Sequence, residues 1–138
     1  LFIDEVSAPE LRRAVDRADL VGVSMLTYVE TTSALARRRR ERSLTQKQHS
    51  LIIDELDARW VSCSRISLAN ELILAAARIV TKYPLKASDA VQLVSALLFQ
   101  REVGDPVIFA AFDDQLNRVA KKERLQVLVR PGPGGTSQ

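Results

Sequence analysis

Apolar positions along the chain recur with two alternating periods. Leu11, Ala14, Val15 and Ala18 fall at helical spacing behind Ser7-Ala8-Pro9-Glu10. Ser7 can cap that helix, Glu10 can reciprocate three residues later, and proline suits a first turn. Leu20 to Ser24 is a short valine-containing run of the kind a buried strand shows. A long helix is predicted from Thr27 through the arginines at 37–40. Thr45-Gln46-Lys47-Gln48 repeats the capping-box pattern ahead of Leu51, Ile52 and Leu56. Trp60 to Cys63 is a short strand candidate. Leu68 to Lys82 reads as a helix stopped by Pro84. Ser88 to Gln100 reads as another, with Val91, Val94, Leu97 and Leu98 inward. Beyond the turn at Gly104-Asp105-Pro106, the chain gives a strand over Val107 to Ala111, a helix over Asp113 to Glu123 and a last strand over Val127 to Val129. Strands alternating with helices predict an α/β domain with a parallel sheet, spanning residues 1–130. Residues 131–138, rich in glycine and proline, have nothing to bury and are expected to form a flexible tail.

Composition narrows the chemistry. The 138 residues are enough for one core, and 46% hydrophobic with 27% charged residues is ordinary globular usage. A single cysteine, Cys63, excludes an internal disulfide framework, and with a lone histidine, His49, it excludes a Cys/His zinc cluster. No apolar run approaches a membrane span and no leader pattern is visible, so a cytoplasmic location is expected. The net charge of +3 is mild, but Arg37, Arg38, Arg39, Arg40 and Arg42 form a dense block broken only by Glu41. A solvated helix face, a protein contact and a phosphate-contacting patch all remain open for it. His49 reads as a surface residue, Cys63 as a small packed one, and Trp60 and Tyr28 as packing aromatics. No phosphate-cradling glycine loop is present.

The candidate chemistry lies in acids at the carboxyl ends of the expected strands, where open α/β sheets bind their ligands. Glu30 follows the Leu20–Ser24 strand, Asp113 follows the Val107–Ala111 strand with Asp114 beside it, and Asp89 opens the helix at Ser88. Converging carboxylates repel one another and recruit a cation. Oxygen-only ligands favour Mg2+ or Mn2+, which can polarise a phosphodiester and acidify water. Each acid also has a purely structural explanation. Thr27-Tyr28-Val29-Glu30 is itself a capping box, Asp89 complements a helix dipole, and Asp113 is an ordinary N-cap.

The segments around these acids resemble the PIN-domain family. Leu85-Lys86-Ala87-Ser88-Asp89-Ala90-Val91-Gln92-Leu93, Phe109-Ala110-Ala111-Phe112-Asp113-Asp114-Gln115-Leu116, and Ser24 through Leu35 with its Glu30 follow the family's order and spacing, in the manner of VapC-type toxins. The resemblance implies a parallel sheet between helices, an acidic pocket for Mg2+ or Mn2+ held by Glu30, Asp89 and Asp113, and endoribonuclease activity as the toxin of a toxin–antitoxin pair. It also implies a cognate antitoxin, an RNA substrate and a homodimer. Two departures stand out. Family members begin with a strand ending in Asp. Asp4 is too near Glu30 to be that residue, so Leu1–Glu5 reads as the end of the family's first helix, and the central first strand is expected to be missing from this sequence, leaving edges unpaired on two neighbours. Ala111 stands where relatives often carry a hydroxyl. An alternative is therefore a catalytically inactive PIN-like module that acts by binding an antitoxin; a third is that all three acids are only helix caps.

Overall fold

The computed structural model describes residues 9–128. Six helices and four short strands follow one another over them: α1 (Pro9–Arg17), β1 (Gly22–Ser24), α2 (Leu26–Arg40), α3 (Gln46–Ser62), β2 (Ser64–Ile66), α4 (Asn70–Lys82), α5 (Ala87–Val103), β3 (Ile108–Phe109), α6 (Asp114–Lys122) and β4 (Gln126–Val127). The α/β class expected from the alternation is what the chain adopts. β1 pairs with β2 in parallel, Val23 opposite Arg65, and β3 pairs with β4 in parallel, Ile108 opposite Gln126. The two pairs are separate sheets among the described residues. Ser7, Leu1–Glu5, Val129 and the 131–138 tail lie outside the described residues.

One core joins the second half of the chain. Leu72, Ala76 and Ile79 of α4 pack with Ala90, Leu93 and Val94 of α5, and with Phe109, Leu116, Val119 and Leu125 around α6. The residues of α5 expected inward do face the core, Val94 buried and Val91, Leu97 and Leu98 half-buried against it, and Ala90, Leu93 and Ser95 are buried with them. α2 and α3 form an antiparallel hairpin. It carries Leu35 and Leu56, both fully enclosed, and the half-buried Tyr28 and Trp60 rings, whose centroids lie 5.2 Å apart.

The ends of elements explain where sequence and structure part. Thr45 caps α3 with the full reciprocal box: its hydroxyl accepts from the Gln48 N–H, and its own N–H donates to Gln48 Oε1. The strand expected over Trp60–Cys63 is instead the last turn of α3 and its cap. Trp60 lies one helical turn beyond the buried Leu56 and meets Tyr28, so continued helix buries both on one face; the strand follows at Ser64–Ile66. Of the apolar residues that α3 carries, Leu56 is fully buried and Leu51 is 60% exposed. α5 ends at Gly104 in the left-handed conformation, φ 80°, which glycine adopts without steric cost.

One close approach fixes β1 against α5. Gly22 backs directly onto the Phe99 ring; a Cβ there would lie 2.8 Å from Cδ1 and Cε1. Only glycine lets the first strand sit this close to the helix that carries Asp89.

Candidate active site

Two helical turns face each other at the carboxyl end of β1. α2 starts as soon as β1 ends, because Ser24 Oγ accepts the Leu26 N–H at 3.2 Å and turns the chain. The cap residue itself, Met25, supplies no side-chain bond. The helix thus opens one residue before Thr27, so Thr27-Tyr28-Val29-Glu30 is not the capping box that its sequence allows. Glu30 is left free for another use, and its Oε1 accepts from Gln92 Nε2 at 2.6 Å. The same amide reaches Thr27 Oγ1 at 3.3 Å, one turn back on α2.

Gln92 lies one turn beyond Asp89 on α5, so the two project from the same side of that helix. Asp89 is half-buried in the first turn, with Lys86 as the cap residue. Burial raises its carboxyl above the usual carboxylate range, and the Asp113 charge raises it further; Lys86 acts in the opposite sense. Asp89 and Asp113 are therefore near enough to repel. Asp113 caps α6, its Oδ1 accepting the Leu116 N–H at 2.9 Å, and Asp114 is exposed beside it in the first turn. The capping role expected of Asp113 is real and occupies one of its two oxygens.

The chain thus links Glu30 through Gln92 to the helix turn of Asp89, and couples Asp89 electrostatically to Asp113. Among the described residues, no three ligating side chains stand close enough to hold one ion. The N-terminal ends of α5 and α6 carry the acids, and these ends favour anions such as phosphate.

Two contributors are absent from the sequence reading. Gln92 is one, and its signal was a polar residue set among Ala90, Val91, Leu93 and Val94, one turn from an acid. Asn117 is the other. Its Nδ2 donates to the Ala111 carbonyl at 2.9 Å, tying the end of β3 to α6, and its buried Oδ1 has no partner among the described residues. That amide fixes the backbone at the position where the hydroxyl expected of relatives is replaced by Ala111. Tyr28 and Trp60, expected to be packing aromatics, pack on each other, a pairing the sequence does not announce; Cys63 is a half-buried cap residue, and burial pushes its thiol upward.

No helix among the described residues is long and apolar enough to cross a membrane. A comparison with curated proteins gives no match. The family profile described as the PIN domain, a three-layer α/β fold whose members are in general divalent-metal nucleases, matches residues 1–122, and this chain belongs to the PIN-domain family.

Proposed function

We propose that the chain is an endoribonuclease that hydrolyses RNA phosphodiester bonds with Mg2+ or Mn2+, and that it is the toxin of a VapC-type toxin–antitoxin pair. Glu30, Asp89 and Asp113 are its metal-site carboxylates in this reading. One observation carries it: a single turn of α5 holds Asp89 against the Asp113 charge and places Gln92 on the Glu30 carboxylate.

By chemical type the donors suit a hard divalent ion, which would have to draw the three acids closer together than they stand here. All the donors are oxygens, and two of the acids already repel, so a cation between them relieves an existing cost. Bound there, such an ion supplies Lewis-acid chemistry for phosphodiester hydrolysis. The chain's own residues do the rest. Gln92 holds one oxygen of Glu30 and so orients the other. The Leu116 N–H does the same for Asp113. The N-terminal ends of α5 and α6 add positive potential where the scissile phosphate would lie.

The partners follow as parts of the same reading. A cognate antitoxin blocks the acidic site in the cytoplasm. A second copy of the chain covers the outward apolar stripe of α4, where Ile73, Leu74 and Val80 are exposed.

The test is cleavage of RNA by the full-length protein with Mg2+, against a chelated control. Asp89→Asn is expected to lower kcat by about 100-fold or more. Wild-type cleavage by that variant would overturn the assignment. A protein that binds an antitoxin, yet neither cleaves RNA nor takes up a divalent ion, would be the inactive module instead.

A further inference from the structure

We propose that the tip of the α2–α3 hairpin, formed by Arg37, Arg39, Arg40 and Arg42, is a binding surface for the phosphate backbone of RNA. The inference rests on the nuclease reading for its choice of ligand.

The four side chains are exposed, whereas Arg38 is half-buried one turn beyond Leu35. None of them takes part in an ion pair among the described residues; the arginines that do are Arg12, Arg13, Arg59 and Arg101. Cations at a helix C-terminus have an ordinary use, since they complement the dipole and its free carbonyls. Here three of the last four carbonyls are already taken by the backbone turn and Ser43. Arg37 O accepts from the Glu41 N–H at 2.9 Å, Arg39 O from the Arg42 N–H at 3.1 Å, and Arg38 O from both the N–H and the hydroxyl of Ser43. Capping therefore leaves at most one carbonyl, that of Arg40, for four guanidinium groups, and crowding them together adds repulsion.

Arg42 sharpens the point. The two backbone bonds from Arg42 and Ser43 are those of a Schellman turn, and Arg42 occupies its left-handed position with φ 58°. Glycine is the residue that fits there, and an L side chain is strained. The chain keeps a cation at the one position of this turn where a side chain is disfavoured.

Placement favours RNA over an acidic polypeptide. Arg37 follows Glu30 by two helical turns, so it lies on the same side of α2, about 10 Å further along. Only Ser33 and Ala34, both small, come between them on that side. A stacked strand carries one phosphate per ~3.4 Å, so a chain with one phosphate at the acids would reach Arg37 about three nucleotides away. Planar guanidinium forks suit that ligand.

The experiment measures binding of a labelled single-stranded RNA oligonucleotide to the full chain by fluorescence anisotropy, in chelator, across a salt series. Removing three arginines in Arg37→Gln/Arg39→Gln/Arg40→Gln is expected to weaken binding about 100-fold at ~0.1 M salt and to lower the salt slope by about 2. Arg42→Gly is expected to bind about fivefold more weakly while unfolding at a higher temperature, an opposition of signs that a purely structural arginine would not give. That second variant keeps the test intact if the triple variant fails to fold. Unchanged affinity and slope in Arg42→Gly and the triple variant overturn the proposal. Retained RNA binding with lost binding of polyglutamate also overturns it, and marks the tip as a protein-docking surface. Because cleavage is switched off throughout, absence of nuclease activity in the wild type would defeat the functional reading without producing either of these results.

Discussion

Replacing Gly22 with alanine tests how the site is held together. The added methyl would lie 2.8 Å from Phe99 Cδ1 and Cε1 and 3.0 Å from Cγ. Ordinary carbon–carbon contact is about 3.5–4.0 Å, so β1 and the ring must separate by most of an ångström. The ring cannot swing clear by turning about its own axis, because Cγ at its base is among the atoms met. Either Phe99 leaves its rotamer or β1 lifts from α5. Overpacking of this kind costs about 1–3 kcal/mol, a substantial part of the about 5–15 kcal/mol that stabilises a domain. Urea unfolding should show a lower midpoint with an unchanged slope. Phe99→Leu in the same chain should return part of the loss, giving a favourable coupling of about 1–2 kcal/mol in a double-mutant cycle. Activity should fall as well, because β1 leads into the helix of Glu30 while α5 carries Asp89 and Gln92, and lifting one from the other stretches the Gln92–Glu30 bond. A Gly22→Ala protein within about 0.5 kcal/mol of the parent, with no coupling to Phe99, would refute the reasoning.

Three further outcomes follow from particular contacts. Burial pushes the Glu123 carboxyl upward, but hydrogen bonds from Tyr83 and Lys82 outweigh it and leave it below the ordinary value. Its contribution is present above the unfolded value of 4.5 and lost as pH falls through the folded one. Glu123→Gln keeps an acceptor for Tyr83 but loses the charge that strengthens that bond, so it should cost about 0.5–1 kcal/mol at pH 7, and the difference from wild type should shrink in urea titrations under acid conditions. Arg124, with φ 70°, holds the left-handed position after α6, so Arg124→Gly should raise stability by about 1 kcal/mol, read from thermal unfolding. Asp89 is raised above 3.8 in the folded chain, so the favourable effect of its protonated form is complete below that value and fades as pH rises through the folded one. Asp89→Asn should accordingly be more stable than wild type at neutral pH in chelator; if the proposed metal site is right, excess Mg2+ should raise the melting temperature of the wild type and not that of the variant.

Helices were legible where capping and period agreed. Thr45 and Gln48 form the box that their spacing announces, and Pro84 marks the end of α4. The strands were legible as elements but not in their bounds. Val107–Ala111 contracts to Ile108–Phe109, and Trp60–Cys63 belongs to a helix, because an apolar run a few residues long satisfies either period until a neighbour chooses. Tyr28 made that choice for Trp60 across 32 residues of sequence, a contact no local pattern contains.

The site divides in the same way. That acids follow β1 and β3 and open α5 can be read from the order of residues. What Glu30 does cannot, because Thr27-Tyr28-Val29-Glu30 is an equally good capping box on paper. The decision lies at Ser24: its hydroxyl takes the Leu26 N–H, α2 starts two residues ahead of where a Thr27 cap would start it, the box never closes, and the carboxylate is released toward Gln92. Asp113 shows the converse. It caps α6 as its sequence predicts and still charges the environment of Asp89, since a cap engages one carboxylate oxygen and leaves the other. A capping role and a place in the proposed acidic site are therefore compatible for Asp113 and would be exclusive for Glu30, and the difference is a matter of one hydroxyl at the end of a strand.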